Sequence, residues 1–146
     1  MKEYSSRRNL NRGYMKLDVW QKTIELYKIT CEVLITAKVD LKIRAQIADA
    51  AQSVSANIAE GYSRRSINEY MQHLYISLGS LSELLSRLVA LREANQITAD
   101  QFERIDALHY EVENKLWNLL KSLEAKKESG TWISKVSKDA VEYKSH

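Results

Sequence analysis

The sequence predicts an all-α protein, specifically an antiparallel up-down-up-down four-helix bundle. The 146 residues include no proline and only four glycines, a composition that favours long helices over a sheet protein rich in turns. Apolar residues recur at intervals of three and four in four separate segments, which is the spacing of one helical face. The connections between these segments are short, and helices of similar length that are joined by short loops pack as antiparallel neighbours.

The first helix is predicted to run from about Asp18 to Ala37. Asp18, followed three residues later by Gln21, resembles an N-cap, because a carboxylate at that place can accept a hydrogen bond from the first turn. The apolar face comprises Trp20, Ile24, Tyr27, Cys31 and Leu34. Charged residues lie on the rest of the surface, as expected of an amphipathic helix.

The second helix is predicted to begin after Asp40, its N-cap, and to continue to about Tyr62. Its apolar face comprises Ile43, Ile47, Ala50, Val54 and Ile58. A neighbouring stripe of small side chains, which would let another helix come close, comprises Ala48, Ala51, Ser55 and Ala59. Gly61 is expected to supply the left-handed residue that ends many helices.

Two polar residues, Asn57 and Glu60, lie three apart near the end of this helix and are therefore side by side. A structural interpretation is that they bond backbone groups or neighbouring side chains, because burying them unpaired would be costly. A catalytic interpretation would require a partner at a recognisable spacing, and the sequence offers none. We therefore interpret Asn57, Glu60 and Gly61 as structural residues.

The third helix is predicted to begin after Ser66 and to end near Glu93. Ser66 and Glu69 have the spacing of a capping box. Gly79 interrupts the helix at a cost of roughly 1 kcal/mol relative to alanine, so a glycine there suggests close helix packing. The apolar face comprises Tyr70, Leu74, Leu78, Leu81, Leu85 and Leu88.

Thr98 and Gln101 form a second capping box, and the fourth helix that follows is predicted to end near residue 125. Its apolar face comprises Phe102, Ile105, Leu108, Val112, Leu116, Leu119 and Leu123. Residues 126–146 form a C-terminal tail that contains Trp132 and Ile133. This tail is expected either to be disordered or to dock on a neighbouring subunit.

Positive charge is concentrated at the chain ends. Residues 1–16, a predicted flexible arm, contain five basic residues and one acidic residue. Residues 126–146 contain five basic residues and three acidic residues. The bundle itself, residues 17–125, has twelve basic and fifteen acidic residues. In an antiparallel bundle the start of helix one, the turn between helices two and three and the end of helix four share one pole. The basic residues expected there are Arg7, Arg8, Arg12, Lys16, Arg64, Arg65, Lys126 and Lys127.

A cluster of this kind predicts contact with RNA or DNA, because lysine and arginine release counterions from nucleic-acid phosphates. The arm also contains Tyr4 and Tyr14, whose rings could stack on single-stranded bases. The competing interpretation is that a charged arm only makes the protein more soluble. The mildly acidic bundle is compatible with that second interpretation.

The sequence does not indicate enzyme chemistry. A di-iron bundle requires Glu-x-x-His pairs on two helices, whereas this chain has Asp106 and His109 at that spacing and no second pair. No phosphate-binding glycine loop, zinc cluster or serine-triad signature is present. We therefore predict no catalytic residue, no metal and no cofactor. No apolar run reaches the ~20 residues of a membrane span, so we expect a cytoplasmic protein with no membrane partner.

Three stretches of the chain together resemble a known family. The matching positions are Leu17, Val19, Trp20 and Gln21, then 57–61 with Arg64 and Arg65, then Gly79, Ser80 and Glu83. The combination is similar to the bacterial four-helix-bundle family of proteins that are encoded in intervening sequences of large-subunit ribosomal RNA genes. The resemblance implies an antiparallel bundle that assembles into a ring, typically a pentamer. It implies no enzymatic activity, and we interpret Gly79, Ser80 and Glu83 as structural residues.

Two functional classes remain open for such a homo-oligomeric bundle. The first is a module that binds RNA or other nucleic acid through the basic pole. The second is a protein-interaction scaffold or an accessory subunit of a nucleic-acid enzyme such as a reverse transcriptase, by analogy with related bundle proteins. A basic partner protein would find an acidic surface on helix four, comprising Asp100, Glu103, Asp106, Glu111 and Glu113.

Overall fold

Four long helices make up almost all of the computed structural model, which describes residues 12–132. They are α1 (Asp18–Thr36), α2 (Leu41–Tyr62), α3 (Ile67–Glu93) and α4 (Ala99–Ser129). A short 3-10 turn, Gly13–Lys16, precedes α1. Within the described range there is no strand, and the predicted all-α class is confirmed.

The helices pack in the order in which they follow one another along the chain. Helix α1 contacts α2 and α4, and α3 contacts α2 and α4, whereas the diagonal pairs do not approach each other within the described residues. This arrangement confirms the antiparallel up-down-up-down bundle. The α2–α3 pair has the most extensive contact, and the small residues Ala51 and Ser55 of α2 are buried, as the stripe of small side chains predicted.

The core is a column of aliphatic side chains, contributed by all four helices at the predicted spacing. Each fully buried leucine or isoleucine contributes about 1.5–3 kcal/mol relative to an exposed one. The largest fully buried apolar side chains are Leu26, Ile47, Val54, Ile58, Leu74, Leu81, Leu84, Leu88, Ile105, Val112 and Leu116.

Side chains cap three of the four helices as predicted. Asp40 accepts a hydrogen bond from the backbone N–H of Lys42 at 3.0 Å, and Thr98 and Gln101 make both bonds of a capping box. Ser66 accepts a bond from the backbone N–H of Glu69 at 3.4 Å, but the second bond of the predicted capping box, from the backbone N–H of Ser66 to the Glu69 side chain, is absent among the described residues.

The cap predicted at Asp18 is wrong. Leu17 occupies the N-cap position of α1 and makes no side-chain cap, so Asp18 is already inside the first turn. Its carboxylate instead forms an ion pair with Lys115 of α4. This ion pair holds the pKa of Asp18 below its usual range and raises the pKa of Lys115.

The role predicted for Gly61 is also wrong. Helix α2 continues through Gly61 to Tyr62, and among the described residues only Asn95 and Gly130 have a positive φ. Gly61 is buried, and a Cβ added there would lie 2.7 Å from Cβ of His73 and 3.1 Å from the backbone oxygen of Tyr70. The glycine is therefore required by the close approach of α3, and not by its backbone conformation.

Gly79 shows the opposite situation. It is exposed in the middle of α3, and a Cβ added there would meet no atom within 4 Å. The close packing predicted for Gly79 is therefore absent among residues 12–132. Gly79 therefore makes no packing contact that stabilises α3, and it lowers the helix propensity of this segment relative to alanine.

Helix α4 extends beyond the predicted bundle boundary at residue 125, to Ser129. Gly130 ends it in the left-handed conformation, with φ +68°. The backbone N–H groups of Gly130 and Thr131 donate to the carbonyls of Lys127 and Lys126 at 3.3 and 3.1 Å, respectively, which satisfies carbonyls that the helix end would leave unpaired. Trp132 then packs against the bundle of its own chain. The rest of the predicted tail lies outside the described residues.

Candidate nucleic-acid interface at one pole of the bundle

Three chain segments meet at one end of the bundle, which we call the basic pole. They are the 3-10 turn Gly13–Lys16, the turn 63–66 between α2 and α3, and the last two turns of α4. The Tyr14 ring packs edge-to-face on Trp20 of α1, with ring centroids 5.4 Å apart, and on Tyr62 of α2, at 6.5 Å. The 3-10 turn is thus attached to both helices.

Further contacts fix the same turn. The side-chain amide of Gln21 donates a hydrogen bond to the backbone oxygen of Met15 at 2.8 Å. Gly13 lies so close to the hydroxyl of Tyr62 that a Cβ at this position would collide with it. Residues 12–16, predicted as part of a flexible arm, are therefore packed on the bundle where the structure describes them.

An aromatic cluster continues from this turn into the bundle. Tyr62 packs edge-to-face on Tyr70 of α3, with ring centroids 6.0 Å apart. Burial, and to a smaller extent the nearby Tyr62, raises the pKa of the Tyr70 hydroxyl far above its usual value. The Tyr70 hydroxyl is thus neutral. The Tyr70 ring connects the aromatic residues of the basic pole to the apolar interior.

The predicted basic residues that the structure describes all lie exposed at this pole. They are Arg12, Lys16, Arg64, Arg65, Lys126 and Lys127, whereas Arg7 and Arg8 lie outside the described residues. Arg64 donates a hydrogen bond to Glu60 of the preceding turn, at 2.8 Å. Both side chains of this pair are about half exposed, so the pair is worth only about 0.3–0.5 kcal/mol and leaves the guanidinium accessible.

The basic pole carries an excess of positive charge among the described residues. Lys121, on the exposed side of α4, adds to the six basic residues just named. The acidic residues in the same region are Glu60, Glu69, Glu124 and Glu128. Basic side chains therefore outnumber acidic ones by seven to four, although the bundle as a whole is mildly acidic.

The predicted structural residue Asn57 lies in a polar seam between α2 and α3. Its Nδ2 donates to the backbone oxygen of Ser53 at 2.9 Å and to Ser53 Oγ at 3.1 Å. Its Oδ1 is 3.2 Å from Nδ1 of His73, and Ser53 Oγ is 2.8 Å from Ser80 Oγ. These bonds connect the two helices and satisfy all four side chains, which fits the structural interpretation of Asn57 and Ser80.

Sequence reasoning missed part of this seam. Ser77 donates to the backbone oxygen of Val54 at 2.9 Å, and neither Ser53 nor Ser77 is predicted from the sequence to form a bond between the helices. The signal that could have identified them is the alignment of serines on α2 with serines on α3 in an antiparallel pair.

Glu83, predicted as structural, participates in a second connection between α2 and α3. It accepts hydrogen bonds from Nε and Nη2 of Arg87 at 3.2 and 3.1 Å, respectively. Arg87 in turn donates from Nη1 to the side chain of Gln46 at 3.2 Å. Glu83 thus positions an arginine that reaches across to the neighbouring helix.

His109 is buried between α4 and α3. Its Nε2 lies 2.7 Å from the backbone oxygen of Leu81, an acceptor, so Nε2 carries the proton and donates it. Its Nδ1 faces Glu113 Oε2 at 3.7 Å. Residues 12–132 contain no group of three potential metal ligands, and His109 is a hydrogen-bonded core residue.

The outer face of α3 and α4 forms a second notable surface, which we call the aromatic face. Tyr75 and Trp117 are 49% and 43% exposed and pack edge-to-face, with ring centroids 6.2 Å apart. Tyr110 and Ile76 are also exposed. Along α3 the neighbouring exposed positions from residue 72 to residue 90 are small or uncharged, namely Gln72, Gly79, Ser82, Ser86 and Ala90, apart from Glu83, which pairs with the partly buried Arg87.

The aromatic face explains the unusual hydropathy of α3. By length and composition this helix could cross a membrane, with a mean hydropathy of 1.3 over its most apolar window. One third of that window is buried in the bundle. Helix α3 therefore carries apolar side chains beyond those that its own core requires. The core helices of helical bundles can also have the length and the composition of a membrane span.

Comparison with known proteins identifies the family. A family model described as "23S rRNA-intervening sequence protein" matches residues 15–118, which include the turn at Arg64 but not Lys126. A crystal structure of a protein with unknown function from the S23 ribosomal protein family, from Bacteroides thetaiotaomicron, shares 24% identity. The match covers 70% of this chain and 95% of that chain with a TM-score of 0.66, and at this identity it supports the fold alone. No curated protein matches the chain. The chain belongs to the 23S rRNA-intervening sequence protein family.

Proposed function

We propose that this protein is a non-enzymatic, homo-oligomeric module that contacts RNA or other nucleic acid through the basic pole. The observation that carries the proposal is the attachment of the 3-10 turn to the end of α2. Gly13 packs on Tyr62, two residues before Arg64, so Arg12 and Lys16 lie at the same end of the bundle as the basic turn. The family match, which names a ribosomal RNA element and indicates no catalytic activity, is consistent with this function.

The charges at this pole favour electrostatic contact with phosphates. Exposed lysine and arginine side chains release counterions from the nucleic acid, and this contribution to the affinity does not depend on base sequence. The mildly acidic sides of the bundle repel phosphates, so a polyanion should approach end-on. One subunit offers a small excess of charge, and several poles aligned on one face would raise the affinity by multivalency.

The aromatic face supports the homo-oligomeric part of the proposal. Four large apolar side chains are exposed there, and small residues along α3 allow another helix to approach closely. Because the two charged residues on this part of α3, Glu83 and Arg87, pair with each other, a second copy of the chain would not need to bury unpaired ions. We propose a ring, with the pentamer implied by the family resemblance as the expected size.

Nucleic-acid binding is tested by fluorescence anisotropy with labelled single-stranded RNA at several salt concentrations. We expect salt-dependent binding by the wild-type protein and its loss when Arg7, Arg8, Arg12, Arg64 and Arg65 are all changed to alanine. A matched control changes Lys38 and Lys42, which are exposed at the opposite pole, to alanine. Retention of RNA by the five-arginine variant would refute the electrostatic mechanism.

Homo-oligomerisation is tested separately by light scattering at micromolar protein concentration. We expect a mass several times that of the 16.9 kDa chain, and we expect the Trp117→Glu variant to have a lower mass, because a charge would be buried in the interface. Glu103→Gln, an exposed change elsewhere on α4, serves as the control. A monomeric wild-type protein would refute the ring.

A second candidate function is a scaffold that recruits a protein, including an enzyme that acts on nucleic acid. The specific observation in its favour is the pole opposite the basic one, where Ile35 and Leu41 are 77% and 74% exposed. They flank the α1–α2 loop, next to a groove of about 560 Å³ that includes Lys38 and Arg92 in its lining. Recovery of one defined protein from nuclease-treated material, with loss on changing Ile35 and Leu41 to serine, would support this function.

A further inference from the structure

A second surface with little charge lies on the outer sides of α1 and α2, opposite the aromatic face in the order of helix packing. We call it the small face. We propose that the aromatic face of one copy of the chain packs on the small face of the next copy. The inference rests on the proposed homo-oligomer, and it names the surface that the aromatic face contacts. The small face comprises Ile24, Tyr27 and Cys31 of α1 and Ala45, Ala48, Gln52, Ala56 and Ala59 of α2.

Contacts with the other helices locate the small face. On α2, the side chains of Gln46, Ser53 and Asn57 bond to side chains of α3. On α1, Glu32 and Thr36 bond to side chains of α4. Successive residues of a helix are about 100° apart, so the residues of the small face point away from these contacts. Each of them is exposed or partly exposed, and nothing else within residues 12–132 covers this side of the bundle.

The side chains of the two faces are complementary in size. The rings of Tyr75, Tyr110 and Trp117 project from the aromatic face and are 49%, 66% and 43% exposed. Four of the five α2 residues on the small face are alanines, so this helix leaves room for large rings beside it. Burying the rings there is favourable, because the hydrophobic contribution grows with the apolar area that is removed from water.

The two faces are also at matching heights when the ring axis runs parallel to the helices. Ser53 bonds to Ser80, which aligns α2 with α3. Tyr75 packs on Trp117, which aligns α3 with α4. Counting residues from these two contacts, at about 1.5 Å of rise per residue, places Ala56 within about 3 Å of the height of Trp117. A small side chain of one copy therefore faces the largest ring of the next.

The charges beside the two faces are complementary as well. Arg44, next to the small face, makes no ion pair within residues 12–132, and its buried Nε has no hydrogen-bond partner there. Asp106, one helical turn before Tyr110 on the aromatic face, has no ion pair in the described part of the chain. The same residue count gives Arg44 and Asp106 a height difference of about 4.5 Å, which an arginine side chain can span. Asp106 of the next copy thus supplies the partner that Arg44 lacks.

Packing of two aromatic faces on each other is less favourable. With parallel helices it places Asp106 opposite Asp106, and like charges repel. With antiparallel helices it places the basic poles at opposite ends. Packing of unlike faces leaves one free face of each kind, so further copies add until the ring closes. This arrangement also keeps every basic pole on the same side of the ring.

The test uses two variants that each block one face. Trp117→Glu blocks the aromatic face, and Ala56→Glu blocks the small face. The matched control is Ala107→Glu, the same substitution at an exposed alanine on the side of α4 that faces α1. Light scattering measures the mass of each protein at increasing micromolar concentration. We expect both blocked variants to have the mass of one chain and the control to keep the wild-type mass.

A 1:1 mixture of the two blocked variants gives the sharpest result. Trp117→Glu retains an intact small face, and Ala56→Glu retains an intact aromatic face. We therefore expect the mixture to contain a species of two chains and nothing larger. Formation of this species also shows that both variants are folded.

A charge reversal tests the contact between Arg44 and Asp106. We expect Arg44→Glu to lower the mass and the double variant with Asp106→Arg to restore it. The two residues lie on opposite sides of one bundle, so the restoration cannot arise within a single chain. A double variant that stays at the lower mass would refute this contact.

The remaining outcomes separate this inference from the proposed function. If Ala56→Glu keeps the wild-type mass while Trp117→Glu loses it, the small face is not the contact surface, and the homo-oligomer stands. A mixture of the blocked variants that contains only single chains would also refute the packing of unlike faces. A monomeric wild-type protein would refute both this inference and the ring.

Discussion

The two helical glycines Gly61 and Gly79 provide a quantitative prediction about packing. We expect Gly61→Ala to destabilise the protein and Gly79→Ala to stabilise it. In a helix interior, replacing glycine by alanine gains about 0.5–1 kcal/mol of backbone free energy at either position. At Gly61 the added methyl would lie 2.7 Å from Cβ of His73 and 3.1 Å from a backbone oxygen, and both belong to a packed helix that cannot easily move. At Gly79 it would meet no atom within 4 Å.

The magnitude follows from the difference between the two variants. Overpacking a close-packed contact costs about 1–3 kcal/mol, and this cost applies at Gly61 only. Because the backbone gain is common to both, the free energies of unfolding of the two variants should differ by about 1–3 kcal/mol. Urea denaturation followed by circular dichroism measures this difference, at equal and low subunit concentration, because assembly adds to the apparent stability. If Gly61→Ala stabilises the protein as much as Gly79→Ala does, close approach is not the reason for a glycine at position 61.

Three further predictions concern single side chains. The Tyr70 hydroxyl is held neutral in the folded protein, whereas the unfolded chain releases this proton near pH 10. The free energy of unfolding should therefore fall by about 1.4 kcal/mol per pH unit above pH 10. Denaturation experiments at alkaline pH should show a smaller fall for Tyr70→Phe. Asn57→Ala should cost about 1–3 kcal/mol, because Ser53 and His73 lose their partner, and urea unfolding at neutral pH would show it. His109→Ala should cost about 2–4 kcal/mol, since it removes a buried ring and its hydrogen bond to a backbone oxygen. Thermal unfolding beside Asn114→Ala, a change at an exposed position of the same helix, would test this.

The sequence predicted the helices and their order well, because apolar spacing reports directly on which face each helix buries. Leu74, Leu81 and Leu88, for example, recur at helical spacing and are all fully buried. The capping residues Asp40 and Thr98 were equally predictable from the sequence, because each capping side chain bonds to a group only two or three residues further along the chain. Such features are local, so one segment of sequence contains the information.

The glycines and the polar seam could not be predicted in the same way. Whether Gly61 is needed depends on how near α3 passes, and the atoms concerned belong to His73 and Tyr70. The bond between Ser53 and Ser80 joins residues 27 apart, so the register of two helices decides it. The packing of Gly13 on Tyr62 likewise depends on how the chain turns before α1. The basic pole was predictable in outline from topology, but its ordered 3-10 turn was not.

The most direct test of nucleic-acid contact through the basic pole is the salt dependence of single-stranded RNA affinity for two double variants. Each phosphate contact to a single strand contributes about 0.7 to the slope of log affinity against log salt. We expect Arg64→Ala with Arg65→Ala to reduce the magnitude of this slope by about 1.4 for each subunit that the strand contacts, and Lys38→Ala with Lys42→Ala to leave it unchanged. An unchanged slope for the arginine variant, or an equal reduction for the lysine variant, would contradict binding at this pole.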